Sequence, residues 1–253
     1  DCIIHTAGLV GGIQANIKYP FDFCYVNLQI GINLIKAAMD AGINKFLNLG
    51  SSCMYPCDAP NPLSEDMILA GKPEPTNEGY AIAKISIAKL AMYANKQYGT
   101  NFKTIIPCNL YGYWDKFNPE QSHMIPAVIR KIHEAAESNM ATVDIWGTGN
   151  VRREFMFAED LADFMFYTLD NYTKIPELLN VGLGYDYSIN EYYKAIAEII
   201  GYKGEFIHDL SKPEGMNQKL VDISLLKETG WIAKHNLKAG ISKTYEFFKN
   251  EVL

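Results

Sequence analysis

A parallel β-sheet covered by helices is the fold class this 253-residue sequence predicts, and three observations carry the prediction. Apolar runs of strand length alternate with helical periodicity through the first half, the pattern of strands joined by helical crossovers. Hydrophobic residues make up 48% of the chain, enough for a substantial core in one large or two small domains. Glycine and proline fall where strand gives way to helix or loop.

Element by element, Cys2-Ile3-Ile4-His5 reads as a strand, and residues 21–41 read as a long helix ended by Gly42. Residues 45–50 form a strand pattern, 79–98 a helix and 103–108 a further strand. Pro56, Pro60, Pro62, Pro73 and Pro75 punctuate the loop before the 79–98 helix, which Thr76 or Asn77 is placed to cap. Apolar and acidic residues mix through that loop, which marks it as a substrate-side element. Beyond Asn109-Leu110-Tyr111-Gly112 the pattern loosens. It gives a helix over about 125–138, a strand at 142–146, a Gly-Thr-Gly turn, a helix over 155–169, a strand at 178–181 and a helix over 188–200. The tail after Lys219 is mixed, and no internal repeat or low-complexity segment occurs.

Composition narrows the functional classes. A net charge of -6 disfavours nucleic acid as a partner. The longest apolar segment, 21–39, is broken by Asp22, Asn27, Gln29, Asn33 and Lys36, and no stretch reaches the roughly 20 residues needed to span a bilayer. Five scattered cysteines argue against a disulfide framework and for a reducing, cytoplasmic setting. Cys53 and Cys57 are separated by the three residues Met54-Tyr55-Pro56, with no second pair and no histidine at ligand spacing, so no structural metal is expected. The basic pairs Arg130-Lys131 and Arg152-Arg153, with Lys219, suit either a small anion or solvated helix faces. The chain opens at Asp1 directly into a strand pattern, which has the look of a cut made inside a domain.

Chemistry concentrates in Asn77-Glu78-Gly79-Tyr80-Ala81-Ile82-Ala83-Lys84. One helical turn separates Tyr80 from Lys84, so phenol and ammonium share a face, and an ammonium beside a phenol lowers a pKa that starts near ~10. Tyr80 is therefore a candidate general acid. Ser51 follows the apolar run Phe46-Leu47-Asn48-Leu49-Gly50, at the end of a buried strand.

Ser51, Tyr80 and Lys84 in that order resemble the catalytic set of the short-chain dehydrogenase/reductase superfamily. Further blocks narrow the resemblance: His5-Thr6-Ala7-Gly8-Leu9-Val10-Gly11-Gly12, Gly50-Ser51-Ser52-Cys53-Met54-Tyr55-Pro56, Ser122-His123-Met124-Ile125-Pro126-Ala127, Trp146-Gly147-Thr148-Gly149, Arg153-Glu154-Phe155 and Lys219-Leu220-Val221-Asp222. On these the chain is similar to the GDP-L-fucose synthase family, the GDP-4-keto-6-deoxymannose epimerase/reductases of the extended branch. The resemblance implies an α/β, Rossmann-type doubly wound parallel sheet with a smaller substrate-binding domain. Residues 1–112 and about 154–183 would form the first, and about 113–153 and 184–253 the second. The family opens with a strand, a glycine-rich turn and a helix that hold the cofactor pyrophosphate, and no such block occurs here. The expectation is an N-terminally truncated chain, lacking the first three strands and doubtful in activity by itself. Tyr113-Trp114 replaces a usual Pro, and Lys131 stands where Arg is common.

The implied activity is NADPH-dependent 3,5-epimerisation and 4-reduction of GDP-4-dehydro-6-deoxy-D-mannose to GDP-L-fucose. By resemblance, Cys53 and His123 exchange protons at C3 and C5. Ser51 and Tyr80 bond the C4 oxygen, Tyr80 supplies its proton, and Lys84 holds the nicotinamide ribose. Leu49, Gly50, Ser51, Ser52, Lys84, Pro107, Cys108, Asn109, Leu110 and His123 are expected to line NADP, and Lys131, Trp146, Arg153 and Glu214 the GDP-sugar. A homodimer is expected to form through the helices over 21–41 and 79–98. Two alternatives stay open: another nucleotide-sugar epimerase or dehydratase of the extended branch, and a non-catalytic remnant that binds a nucleotide sugar.

Overall fold

The computed structural model describes residues 1–118, 122–212 and 216–253. In chain order the elements are β1 (Cys2–His5), α1 (Ile13–Lys18), α2 (Pro20–Asp40), β2 (Lys45–Leu49), α3 (Glu78–Tyr98), β3 (Asn101–Pro107), β4 (Asn109–Tyr111) and α4 (Met124–Glu137). There follow β5 (Thr142–Trp146), β6 (Arg152–Arg153), β7 (Phe155–Phe157), α5 (Ala158–Asp170), β8 (Leu178–Val181), β9 (Tyr187–Ser188) and α6 (Ile189–Ile200). The chain ends with β10 (Glu205–Asp209), β11 (Gln218–Lys219), α7 (Ser224–Thr229) and α8 (Leu237–Phe247).

The chain divides into two compact units. The first comprises Asp1–Cys108, Leu161–Gly182 and Val221–Ile232. Its sheet is wholly parallel, in the order β1-β2-β3-β8. Phe46, Leu47, Phe102, Ile105 and Ile106 are fully buried and lie on both faces, as an internal parallel strand requires. Ile35 and Ala38 of α2 and Ile87, Ala91 and Ala94 of α3 close one face over Phe46 and Phe102. Each such large apolar side chain contributes about 1.5–3 kcal/mol on burial. The two helices approach closely at glycine: a Cβ on Gly31 would sit 2.4 Å from Ile87, and one on Gly79 would sit 2.6 Å from the Pro20 carbonyl. Pro20 opens α2, and Gly99, at φ +68°, closes α3 in the left-handed conformation.

The proline-punctuated loop is partly core. Tyr55 and Leu63 are buried, and Leu63 bridges to Val221. Asn180 of β8 ties the loop down: it accepts from the Tyr55 hydroxyl, donates to the carbonyls of Leu63 and Asp222, and its N–H is taken by Glu65.

The second unit comprises Asn109–Asp160, Leu183–Leu220 and Ala233–Leu253. It holds three small sheets, β5 with β10, β4 with β7, and β6 between β11 and β9. Ile125, Val128, Ile129 and Ile132 of α4 pack with Ile145, Tyr192, Ile196, Ile241 and Phe248. A capping box of Ser188 and Glu191 starts α6.

Two differences from expectation have physical causes. The expected 155–169 helix begins with a three-residue strand, because an apolar run buried on all sides shows no period that separates strand from helix. The units also divide elsewhere than at the expected boundaries: 109–112 and 154–160 fall in the second unit, and Val221–Ile232 in the first. Among the described residues no helix is long and apolar enough to cross a membrane.

Candidate active site

In the first unit, β2 delivers its carboxyl end into a turn. Gly50 allows that turn to pack, since a Cβ there would meet Met54 Sδ at 3.0 Å and the Ile105 carbonyl at 3.2 Å. Ser51 follows in extended backbone, and its Oγ accepts from the Cys53 N–H at 3.2 Å. The Ser51 and Tyr80 side chains are hydrogen-bonded to each other. Lys84 is buried, donates from Nζ to the Leu49 carbonyl at 2.8 Å and lies 5.8 Å from the centre of the Tyr80 ring. Asn77 makes no side-chain cap on α3; its amide donates instead to Cys53 Sγ at 3.1 Å. The structure thus gathers Ser51, Cys53, Tyr80 and Lys84, and adds Asn77, which the sequence offered only as a cap.

The electrostatics correct one expectation. Burial, then negative charge on Cys53, pushes the Tyr80 phenol up, and the Ser51 hydrogen bond only partly opposes them. Lys84 lies 5.8 Å from the ring centre with its ammonium on the Leu49 carbonyl, and burial outweighs it. Tyr80 is therefore protonated at neutral pH, the state from which a general acid acts. Burial brings Lys84 down to about 8.

The remaining expected residues are distributed as follows. Pro107 and Cys108 end the first unit's third strand, with the Cys108 N–H on the Val181 carbonyl, while Asn109 and Leu110 open the second unit. His123, also in the second unit, stands before α4 with Nδ1 3.3 Å from Asp115 Oδ1. Lys131 is paired with Asp144 at 2.9 Å, and Trp146 is half exposed with Lys212 Nζ 5.4 Å from its ring centre. Arg153 donates to the Arg152 carbonyl, whereas Arg152 is committed to Asp186 and Glu191. Glu214 lies outside the described residues. Glu154 is fully buried and accepts from the N–H groups of Leu183 and Gly184 at 2.5 and 2.9 Å, a structural clamp that sequence reading did not assign. None of the five cysteines is in a disulfide, and among the described residues no three His, Cys, Asp or Glu side chains gather to hold a metal ion.

Comparison with known proteins follows this geometry. Residues 1–182 match the NAD dependent epimerase/dehydratase family. The chain is 60% identical over 250 residues to GDP-L-colitose synthase of Yersinia pseudotuberculosis, covering 98% of this chain and 81% of that protein. It is 45% identical over 248 residues to GDP-L-fucose synthase of Azorhizobium caulinodans, covering 98% and 80%. Among solved structures, a GDP-mannoheptose C4 reductase from Campylobacter jejuni with NADP bound superposes with a TM-score of 0.88 at 34% identity, covering 98% of this chain and 82% of that one.

Proposed function

We propose that this chain, which belongs to the NAD dependent epimerase/dehydratase family, is an NADP-dependent oxidoreductase and epimerase that converts GDP-4-dehydro-6-deoxy-D-mannose to GDP-L-fucose. The observation that carries the reading is the single constellation of Ser51, Cys53, Tyr80 and Lys84 at the carboxyl end of β2, where ligands bind in open parallel sheets. The ribose and nicotinamide half of a cofactor fits these residues. Lys84 presents a buried ammonium, and Gly8 lets the backbone approach it, since a Cβ there would meet Asn27 Oδ1 at 2.9 Å and lie 3.8 Å from Nζ. NADPH supplies the hydride for C4 when bound.

The C4 ketone acidifies the hydrogens on C3 and C5. Cys53 is assigned to take one from one face of the ring, and His123 to return one to the other. The charge that develops on the C4 oxygen is met by hydrogen bonds from Ser51 and Tyr80, and Tyr80 gives that oxygen its proton. Lys131, Trp146 and Arg153 are assigned to the GDP moiety. Exposed Phe21, Tyr25, Ile32 and Tyr93 on α2 and α3 support a homodimer, and the free thiols support a cytoplasmic setting.

A second reading follows from the 60% identity to a GDP-L-colitose synthase. Colitose is a 3,6-dideoxy sugar, so that product requires inversion at C5 alone. Incubation of the chain with NADPH and, in separate reactions, GDP-4-dehydro-6-deoxy-D-mannose or its 3-deoxy counterpart in D2O separates the readings. GDP-L-fucose carrying deuterium at C3 and C5 supports the first. Turnover of only the 3-deoxy ketone supports the second, and turnover of neither overturns both.

A further inference from the structure

On the helix-covered face of the first unit's sheet, below the catalytic turn, lies a row of polar side chains that the proposed chemistry does not use. His5, Asn48 and Thr104 are register partners across β1, β2 and β3, so their side chains share a face. It is the face closed by α2 and α3, because the His5 ring lies tilted against Phe46 at 5.9 Å between centroids and Phe46 packs with Ile35 and Ile87. The three are 3%, 0% and 1% exposed. Asn48 Nδ2 donates to Thr104 Oγ1 at 3.2 Å, but Asn48 Oδ1 and both ring nitrogens of His5 have no hydrogen-bond partner among the described residues. A buried polar group left unmet is costly, so a cluster of them calls for a ligand. The Lys84 ammonium reaches the same region. It sits beside Gly8, three residues beyond His5, and of its three N–H donors the Leu49 carbonyl takes one.

We infer that His5 and Asn48 hold a buried water molecule that accepts a hydrogen bond from Lys84 Nζ and so positions the ammonium under Tyr80. One water accepts from Nζ and donates to Asn48 Oδ1 and to the unprotonated ring nitrogen, about three hydrogen bonds, the usual number for a buried water. The ring is neutral, as this requires. Burial and then the charge of Lys84 bring His5 down to about 4. His5 and Asn48 are positioning residues that act through Lys84, and their kinetic role rests on the reading of Lys84 given above.

Two arms test this in the whole chain. With 15N-histidine labelling, the unprotonated His5 ring nitrogen is expected to show the 15N shift of a hydrogen-bonded acceptor, and the ring a cross-peak to a long-lived water, both of which Asn48→Leu removes. The shift of an unbonded ring nitrogen, or cross-peaks to protein protons alone, overturns the proposal. In the ketone-reduction assay, His5→Phe is expected to lower kcat by about tenfold with KM for the nucleotide sugar within about twofold, and His5→Gln, which can still bond water, to recover most of it. A Phe variant at parental kcat, or a Gln variant no better than Phe, overturns the role. If the parent chain reduces no ketone, the functional reading fails while the labelling arm still decides the water.

Discussion

The side-chain amide of Asn77 donates a hydrogen bond to Sγ of Cys53 at 3.1 Å, across 24 residues of sequence. A donor aimed at sulfur favours the thiolate, and Cys53 as a base must form one. Asn77→Ala is expected to slow deuterium incorporation into the sugar by about 10-fold or more, since a hydrogen bond to a charged group contributes ~1.5–3 kcal/mol. Asn77→Asp is expected to do worse, because a carboxylate opposes the thiolate. Exchange measured by NMR in D2O checks both, and parental exchange in the alanine variant removes Asn77 from the account.

Cys53→Ser and His123→Gln are expected to slow proton exchange at C3 and C5 more than they weaken binding of the nucleotide sugar. Product that remains inverted at both centres and forms at the parental rate identifies the substituted residue as structural.

Lys84, brought down to about 8 by burial, gives the free enzyme a basic limb. Its ammonium is present below that pH and lost above it, so kcat/KM for NADPH is expected to fall as pH rises through about 8. The sign for stability is opposite. The unfolded chain binds this proton more tightly, so the cost of the buried ammonium is full below pH 8 and is relieved as pH climbs toward the ordinary lysine value. A kcat/KM profile flat to pH 9.5 contradicts the assignment.

Glu154→Ala leaves the N–H groups of Leu183 and Gly184 without their carboxylate, and a hydrogen bond to a charged group contributes about 1.5–3 kcal/mol while water can reach these partly exposed donors. Destabilisation of about 1–3 kcal/mol in denaturant unfolding is expected, with the residues around Ser51 and Tyr80 untouched.

The long elements were legible because their periodicity is strong. The strands Cys2–His5, Lys45–Leu49 and Leu178–Val181 and the helices Pro20–Asp40 and Glu78–Tyr98 lie within a residue or two of where apolar spacing sets them. Two-residue strands such as Arg152–Arg153 and Tyr187–Ser188 carry no period and exist only through their partners. Ser51, Cys53, Tyr80 and Lys84 could be found because one turn and one helix hold them. The contacts of Asn77 and His5 were not legible for a shared reason: they depend on what each side chain faces across the fold. The tuning of Tyr80 failed in the sequence reading because spacing gives the nearness of Lys84 but not the burial of the phenol.

The central claim is that Tyr80 protonates the C4 oxygen as the ketone is reduced, and Tyr80→Phe tests it most directly because the ring and its packing remain. With the keto sugar and NADPH, the variant is expected to lose steady-state NADPH oxidation by roughly 10²-fold or more, the scale of a lost general acid. A rate within about threefold of the parent contradicts the account.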